Sequence, residues 1–197
     1  TITTAHAPSA GNNSYWPEMY MNMPTVDPNR AQPYRDTRDP KKFGTVSAFD
    51  PQLFSTVEEC AEALASGKSL AKYTSLDVAQ WLDDMAVAAS ENQAQALARA
   101  PNTDAPELRR LLADVAIQAG TGRFFAYKLR SAVLWSLYER TGDPAALTEA
   151  VKAYRTARQA WASMAEKAKT VYASDITYGL NANLRGHWLD RIPGIDG

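Results

Sequence analysis

The chain has 197 residues, 45% apolar and 22% charged, with 21 basic and 22 acidic side chains and a formal charge of −1. That length supports one well-developed core and is short for two. The interspersed charges create no field to gather phosphate backbones, which argues against a nucleic-acid partner, and no apolar run approaches the roughly 20 residues that span a bilayer, which argues against a membrane partner.

Thr1-Ile2-Thr3-Thr4 carries no charged-then-apolar leader pattern, and residues 1–12 are small and polar, the composition of a linker or frayed arm. Residues 13–197 are expected to form a single helical domain. Its first part, to about residue 54, holds Pro17, Pro24, Pro28, Pro33, Pro40 and Pro51, a density that forbids long helices. Tyr15, Trp16, Met19, Met21, Met23, Phe43, Phe49 and Phe54 are too apolar to leave in water, so this segment is expected to wrap along the helices.

Ser55-Thr56-Val57-Glu58 has capping-box spacing and Gly67 supplies a left-handed stop, predicting a first helix over about 56–66. Its Cys60 is the sole cysteine, which excludes an internal disulfide and a cysteine-based metal site and suits a buried thiol. Ser75 is read as the cap of a second helix with Val78, Leu82, Met85 and Ala89 on one stripe and Trp81 beside it. Asp104-Ala105-Pro106-Glu107 opens a third, followed by Leu108, Leu111, Leu112, Val115 and Ala119. Gly120-Thr121-Gly122 then reads as a tight turn into a fourth helix over about 123–141, apolar on most sides and therefore central. Within it, Lys128 and Arg130 read as snorkelling surface side chains, with Asp114, Glu139 and Asp175 as the acids available if either is buried. Gly142 ends it, Asp143-Pro144 opens a fifth, and Leu147, Val151, Tyr154, Trp161, Ala165 and Ala168 form a seam to about residue 170. The fold class is thus all-α: a bundle of about five helices, an extended proline-rich wrap and an aromatic C-terminal tail.

Residues with binding chemistry concentrate at the two ends. Tyr15-Trp16-Pro17-Glu18-Met19-Tyr20 and the tail Tyr178-Gly179 to Arg191 combine aromatic faces with acids, arginines and His187. Such a set suits a sugar, whose C–H face stacks on an aromatic ring while its hydroxyls pair with polar side chains. Trp16, Tyr20, Tyr178 and Trp188 are the candidate stacking platforms, with Glu18, Arg185, His187 and Asp190 as polar selectors. The competing explanation is that the tail aromatics staple the chain end to the bundle and the charges form surface pairs.

Catalysis has less support. His6 and His187 lack an H-x-x-x-H partner, so no metal or cofactor is expected, although a calcium bridging carboxylates stays open. Gly120-Thr121-Gly122 lacks the lysine of a phosphate loop, and no serine sits in a G-x-S-x-G elbow. Adjacent carboxylates such as Asp83-Asp84 point about 100° apart on a helix and cannot face one glycosidic bond together.

Tyr138, Gly142-Asp143 and Glu149 to Ala157 resemble one tetratricopeptide-type hairpin, with no second copy at that period. Tyr15 to Tyr20, Asp50-Pro51-Gln52-Leu53-Phe54 and Leu184 to Arg191 resemble strings in helical accessory regions of large bacterial secreted proteins that act on polysaccharides. That resemblance implies a non-catalytic carbohydrate-binding module, secreted or cell-surface, monomeric within a longer chain, with a polysaccharide or oligosaccharide as partner. A structural or protein-docking helical module is the alternative, and a lyase or hydrolase built on Tyr178, Arg185 and His187 is the third reading.

Overall fold

The computed structural model describes residues 21–30, 42–44, 51–177 and 185–196. Among them are five α-helices: α1 (Val57–Ser66), α2 (Ser75–Arg99), α3 (Pro106–Thr141), α4 (Pro144–Lys169) and a short α5 (Ile192–Asp196). The all-α expectation holds, since the only strands among these residues are the two-residue pair β1 (Ile176–Thr177) and β2 (Arg185–Gly186).

Local chemistry sets the helix ends, one residue away from two of the expected caps. Thr56, and not Ser55, caps α1: its side chain accepts from Glu59 N at 3.0 Å while Glu59 returns the bond to Thr56 N at 2.8 Å. Ser55 is instead held by its amide, which donates to the Tyr73 carbonyl at 2.9 Å, so the chain is still extended there. Thr74 likewise caps α2 with Asp77 as its partner, and Ser75 is the first helical residue. Asp104 supplies no cap: Ala105 occupies that position without a side-chain bond, and Pro106 opens α3 at a position whose N–H would have no helical partner anyway.

The expected turn at Gly120-Thr121-Gly122 is absent. α3 runs unbroken through it for 36 residues. Gly120 provides close approach: a Cβ there would lie 2.4 Å from Met164 Cβ of α4. The glycine therefore lets α3 and α4 pack closely. Gly142, at φ 69°, provides the left-handed stop where α3 does end, and Asp143 Oδ1 accepts from Ala145 N at 2.9 Å to open α4.

α3 is the hub, with α1, α2 and α4 all packed on it. Phe124 and Phe125, Leu129 and Val133 meet Trp161, Met164 and Ala165 of α4 in the buried core, and Cys60 lies among them as an enclosed thiol. Phe124 and Trp161 are edge-on at 5.1 Å. The upper part of the expected α4 seam turns outward, since Val151 is exposed.

The wrap is visible where it is described. Met21 and Met23 are buried, and Phe43 stacks on Phe125 at 6.4 Å. The snorkelling expectation for Lys128 fails. It is 0% exposed, and its ammonium donates to the Met21 and Met23 carbonyls at 2.7 and 2.8 Å. Arg130 finds an acid other than those expected, Asp83 of α2, at 2.7 Å.

The continuous α3 makes opposite predictions for its two glycines. Gly120→Ala should lower stability by about 1–3 kcal/mol, because the new methyl must displace Met164. Gly122→Ala meets only ordinary contacts with Leu82 and Ala86 and should raise stability by about 0.5–1 kcal/mol through helix propensity. Urea unfolding of both variants checks this, and a destabilised Gly122→Ala protein would restore the turn.

Candidate functional site

The eight residues singled out by sequence divide evenly. Trp16, Glu18, Tyr20 and Tyr178 lie outside the described residues. Arg185, His187, Trp188 and Asp190 are described, and each is engaged within the protein.

Arg185 makes a two-point ion pair with Asp175, Nη2 to Oδ2 at 2.6 Å and Nε to Oδ1 at 3.1 Å, across the β1–β2 pair. Hydrogen bonding from Arg185 holds the Asp175 carboxyl below its ordinary range. His187 and Asp190 close the 3₁₀ turn Trp188–Arg191: Nδ1 of His187 accepts from Leu189 N at 3.2 Å, and Asp190 Oδ2 accepts from His187 N at 2.7 Å. Gly186, at φ 126°, is required beside this turn, since a Cβ there would sit 2.7 Å from Asp190 Oδ2.

Trp188 is only 6% exposed. Its ring meets Tyr172 at 5.5 Å and His187 at 5.4 Å, both edge-on, and its carbonyl accepts the Trp161 indole N–H at 2.9 Å. It is a core side chain that fastens the tail to α4, and its faces are not open to a ligand. Arg191, also buried, donates to the Arg185 carbonyl at 3.1 Å.

An open aromatic surface does exist, between α1 and the start of α2. A single parallel bridge sets Phe54 beside Tyr73: Ser55 N donates to Tyr73 O, and Tyr73 N to Leu53 O, each at 2.9 Å. Thr74 then turns the chain into α2, which brings Trp81 up two turns later. The three rings form a contiguous cluster, Phe54 to Tyr73 at 5.5 Å, Tyr73 to Trp81 at 5.1 Å and Phe54 to Trp81 at 6.4 Å. Tyr73 is 54% exposed and Trp81 43%, while Phe54 is half-buried beneath them. Met85 is also exposed one turn beyond Trp81.

A polar margin runs along the same helix. Asp77, Gln80 and Asp84 stand within about 100° of Trp81 on the helical wheel, all exposed. Gln80 is oriented at both ends of its amide, donating to Asp84 Oδ1 at 2.7 Å and accepting from Arg130 Nη2 at 3.0 Å. Asp83 holds Arg130 from below. The arrangement offers stacking faces beside fixed acceptors and one amide, with two acids exposed.

A second surface is a trough where α2 and α4 flank α3. It consists of adjoining clefts of about 930 and 790 Å³ that share Ser90, Gln93, Ala116 and Lys167. Its floor is small, with Ala116, Ala119 and Ala160, and its lining carries Arg109, Arg110, Arg123, Lys152, Arg155 and Lys167 without an acid among the lining residues.

Among the described residues no group of three or more His, Cys, Asp or Glu side chains is placed to hold a metal, and no helix is long and apolar enough to cross a membrane. Sequence reasoning missed the Phe54–Tyr73–Trp81 surface because it set Trp81 beside the expected α2 stripe and gave Phe54 to the wrap, while the bridge that joins Phe54 to Tyr73 has no local signal. Comparison with known proteins finds no family model that matches the chain, no similar curated protein and no similar solved structure.

His187 yields a pH prediction. Burial pushes its pKa below the ordinary value of 6.5, against the opposing pull of Asp190 and Glu166. The folded state thus keeps the ring neutral while the unfolded chain takes up a proton, so stability present above the unfolded pKa is lost as pH falls through it toward the folded value. Urea midpoints measured near pH 7.5 and near pH 5 should fall more in the parent than in His187→Asn, whose amide can keep the turn's capping bond. Equal falls would remove His187 as the cause.

Proposed function

We propose that this chain is a non-catalytic carbohydrate-binding module whose stacking surface is the Phe54–Tyr73–Trp81 cluster. The single observation that carries the reading is the pair of contiguous, half-exposed rings of Tyr73 and Trp81 beside the fixed polar row Asp77, Gln80 and Asp84. An aromatic face against a sugar's C–H face excludes water without leaving hydroxyls unpaired, provided acceptors line its edge. Two of those acceptors are acids, which would repel a uronate carboxylate, so the ligand is a neutral glycan.

The trough favours a second reading, a protein-docking module. Its small floor admits a helix at close range, and of its six cations Arg109, Arg155 and Lys167 have no ion-pair partner among the described residues, which fits a partner helix with an acidic face. Exposed apolar side chains along helical faces are what such a module presents.

Affinity electrophoresis through neutral and acidic polysaccharides separates these readings. The parent should be retarded by a neutral polymer, and Tyr73→Ala and Trp81→Ala should each weaken that binding about tenfold, the equivalent of 1–1.5 kcal/mol per stacked ring. Their circular dichroism and melting should remain close to the parent, since both rings are half outside the core. Uniform mobility of the parent across the panel overturns the sugar reading. Binding that survives both substitutions overturns the assigned surface.

A further inference from the structure

A third cleft, of about 370 Å³, lies where the N-terminal wrap crosses α3, α4 and the chain's C-terminal helix. Its walls are chiefly apolar, with Pro24, Val26, Ala150, Val151 and Ile195 around the side chains of Trp135 and Tyr154. Two lining residues carry buried polar atoms with no hydrogen-bond partner: Thr25 Oγ1 and Trp135 Nε1. Thr25 is 9% exposed. Both atoms are enclosed, so they lie behind the cleft's wall and not on its open face, and each unmade bond costs about 1–3 kcal/mol that a ligand drawing the wall inward can recover.

The charges around the cleft define that occupant. Arg30 and Arg155 line it together with Asp27 and Asp196. Asp196 is paired at both oxygens by the Arg158 guanidinium, and Asp27 accepts the Asn29 backbone N–H at one oxygen, at 2.9 Å; with Arg158 counted, three guanidiniums stand against these two carboxylates. Arg30 spends one bond on the Gly194 carbonyl, at 2.9 Å, and keeps further N–H groups. Arg155 is exposed and has no ion-pair or hydrogen-bond partner among the described residues. Tyr154 is not available as a donor, since its hydroxyl is given to Ile195 O at 2.8 Å. What lines the hollow with N–H groups to spare is the pair of guanidiniums, with the enclosed indole N–H and hydroxyl behind its apolar wall.

We propose that this cleft binds a small organic monocarboxylate with a flat apolar body, an aryl or short arylalkyl acid. The carboxylate accepts from Arg155 and Arg30, the apolar body fills the hollow against the Trp135 ring, and the enclosed indole N–H and threonine hydroxyl bond to the ligand once the wall adjusts. The assignment is independent of the aromatic surface on α2 and stands or falls separately from glycan binding.

The test uses the whole chain, labelled with ¹⁵N, and follows the indole N–H signals of its 5 tryptophans. Trp135→Phe identifies the signal of Trp135. Benzoate and 4-phenylbutyrate are the probes, and benzyl alcohol is the uncharged control. The expected result is a saturable shift of the Trp135 signal with at least one acid and none with the alcohol. Arg155→Gln should raise the Kd about tenfold or more, equivalent to losing one charge-assisted contact. Arg155 also borders the trough, so Thr25→Val, which touches the cleft alone, should weaken binding as well while leaving the fold intact by circular dichroism. A Trp135 signal unmoved by either acid up to about 20 mM, a concentration that fills a millimolar site, overturns the proposal. So does equal binding of benzyl alcohol.

Discussion

The fold turns on one buried lysine. Lys128 sits in the middle of α3 with no exposed surface, and burial drives its pKa well below the lysine range, with the positive charge of Arg30 adding to the effect. Taking an ammonium out of water is costly unless its hydrogens are used. Here they reach two backbone carbonyls two residues apart, Met21 and Met23, while the Phe43 and Phe124 rings stand 4.6 and 5.6 Å from the nitrogen. Residues 21–30 are turns and bends with one backbone hydrogen bond of their own, Arg30 N to Asp27 O, to hold them. Lys128 supplies that restraint from the centre of the bundle, and an apolar residue of equal length would bury its stem but leave the two carbonyls unmet.

The same restraint organises the opposite end of the chain. With Met21 and Met23 fixed, the following residues cross toward α4, where Arg30 reaches the Gly194 carbonyl. α4 collects the tail through three contacts along its length: Tyr154 to Ile195 O, Arg158 to Asp196 and Trp161 to Trp188 O. The wrap and the tail therefore meet over one face of α3 and α4, and the cleft containing Thr25 and Trp135 is the space between them. Its shape depends on Lys128 even though Lys128 does not line it.

Much of the helical architecture was legible because caps and glycine stops are local chemistry. The α1 and α4 boundaries follow from Gly67, Gly142 and Asp143-Pro144, whose effects require no knowledge of neighbours. The glycines at 120 and 122 were misread for the opposite reason. A glycine that breaks a helix and one that admits another helix look identical in sequence, and for Gly120 it is Met164 across the interface that distinguishes them, while Gly122 is simply carried within the helix. Lys128 and Trp81 illustrate the same limit with opposite errors. Lysine is rarely buried, yet this one is enclosed because carbonyls from residue 21 and residue 23 come to it. Tryptophan at core spacing is commonly buried, yet Trp81 is left half outside because Phe54 and Tyr73 form a layer that it joins from the solvent side.

The tail shows why residue type alone was a poor guide to the site. Arg185, His187, Trp188 and Asp190 were chosen for their capacity to bind, and that capacity is used to build the 3₁₀ turn and to fasten it against α4. A side chain able to hydrogen-bond or stack with a ligand can do the same with its own protein, and in a segment with little regular structure the second use offsets the backbone entropy lost on ordering it. Net charge misleads in a parallel way. The chain totals −1, yet the trough gathers six cations, three of them paired with acids outside its lining, while exposed Asp77 and Asp84 border the aromatic surface on α2. Since fields at exposed sites decay within about 8 Å at physiological salt, a ligand responds to these local groupings and not to the sum. The near-neutral total therefore leaves room on one small bundle for surfaces that select opposite chemistries.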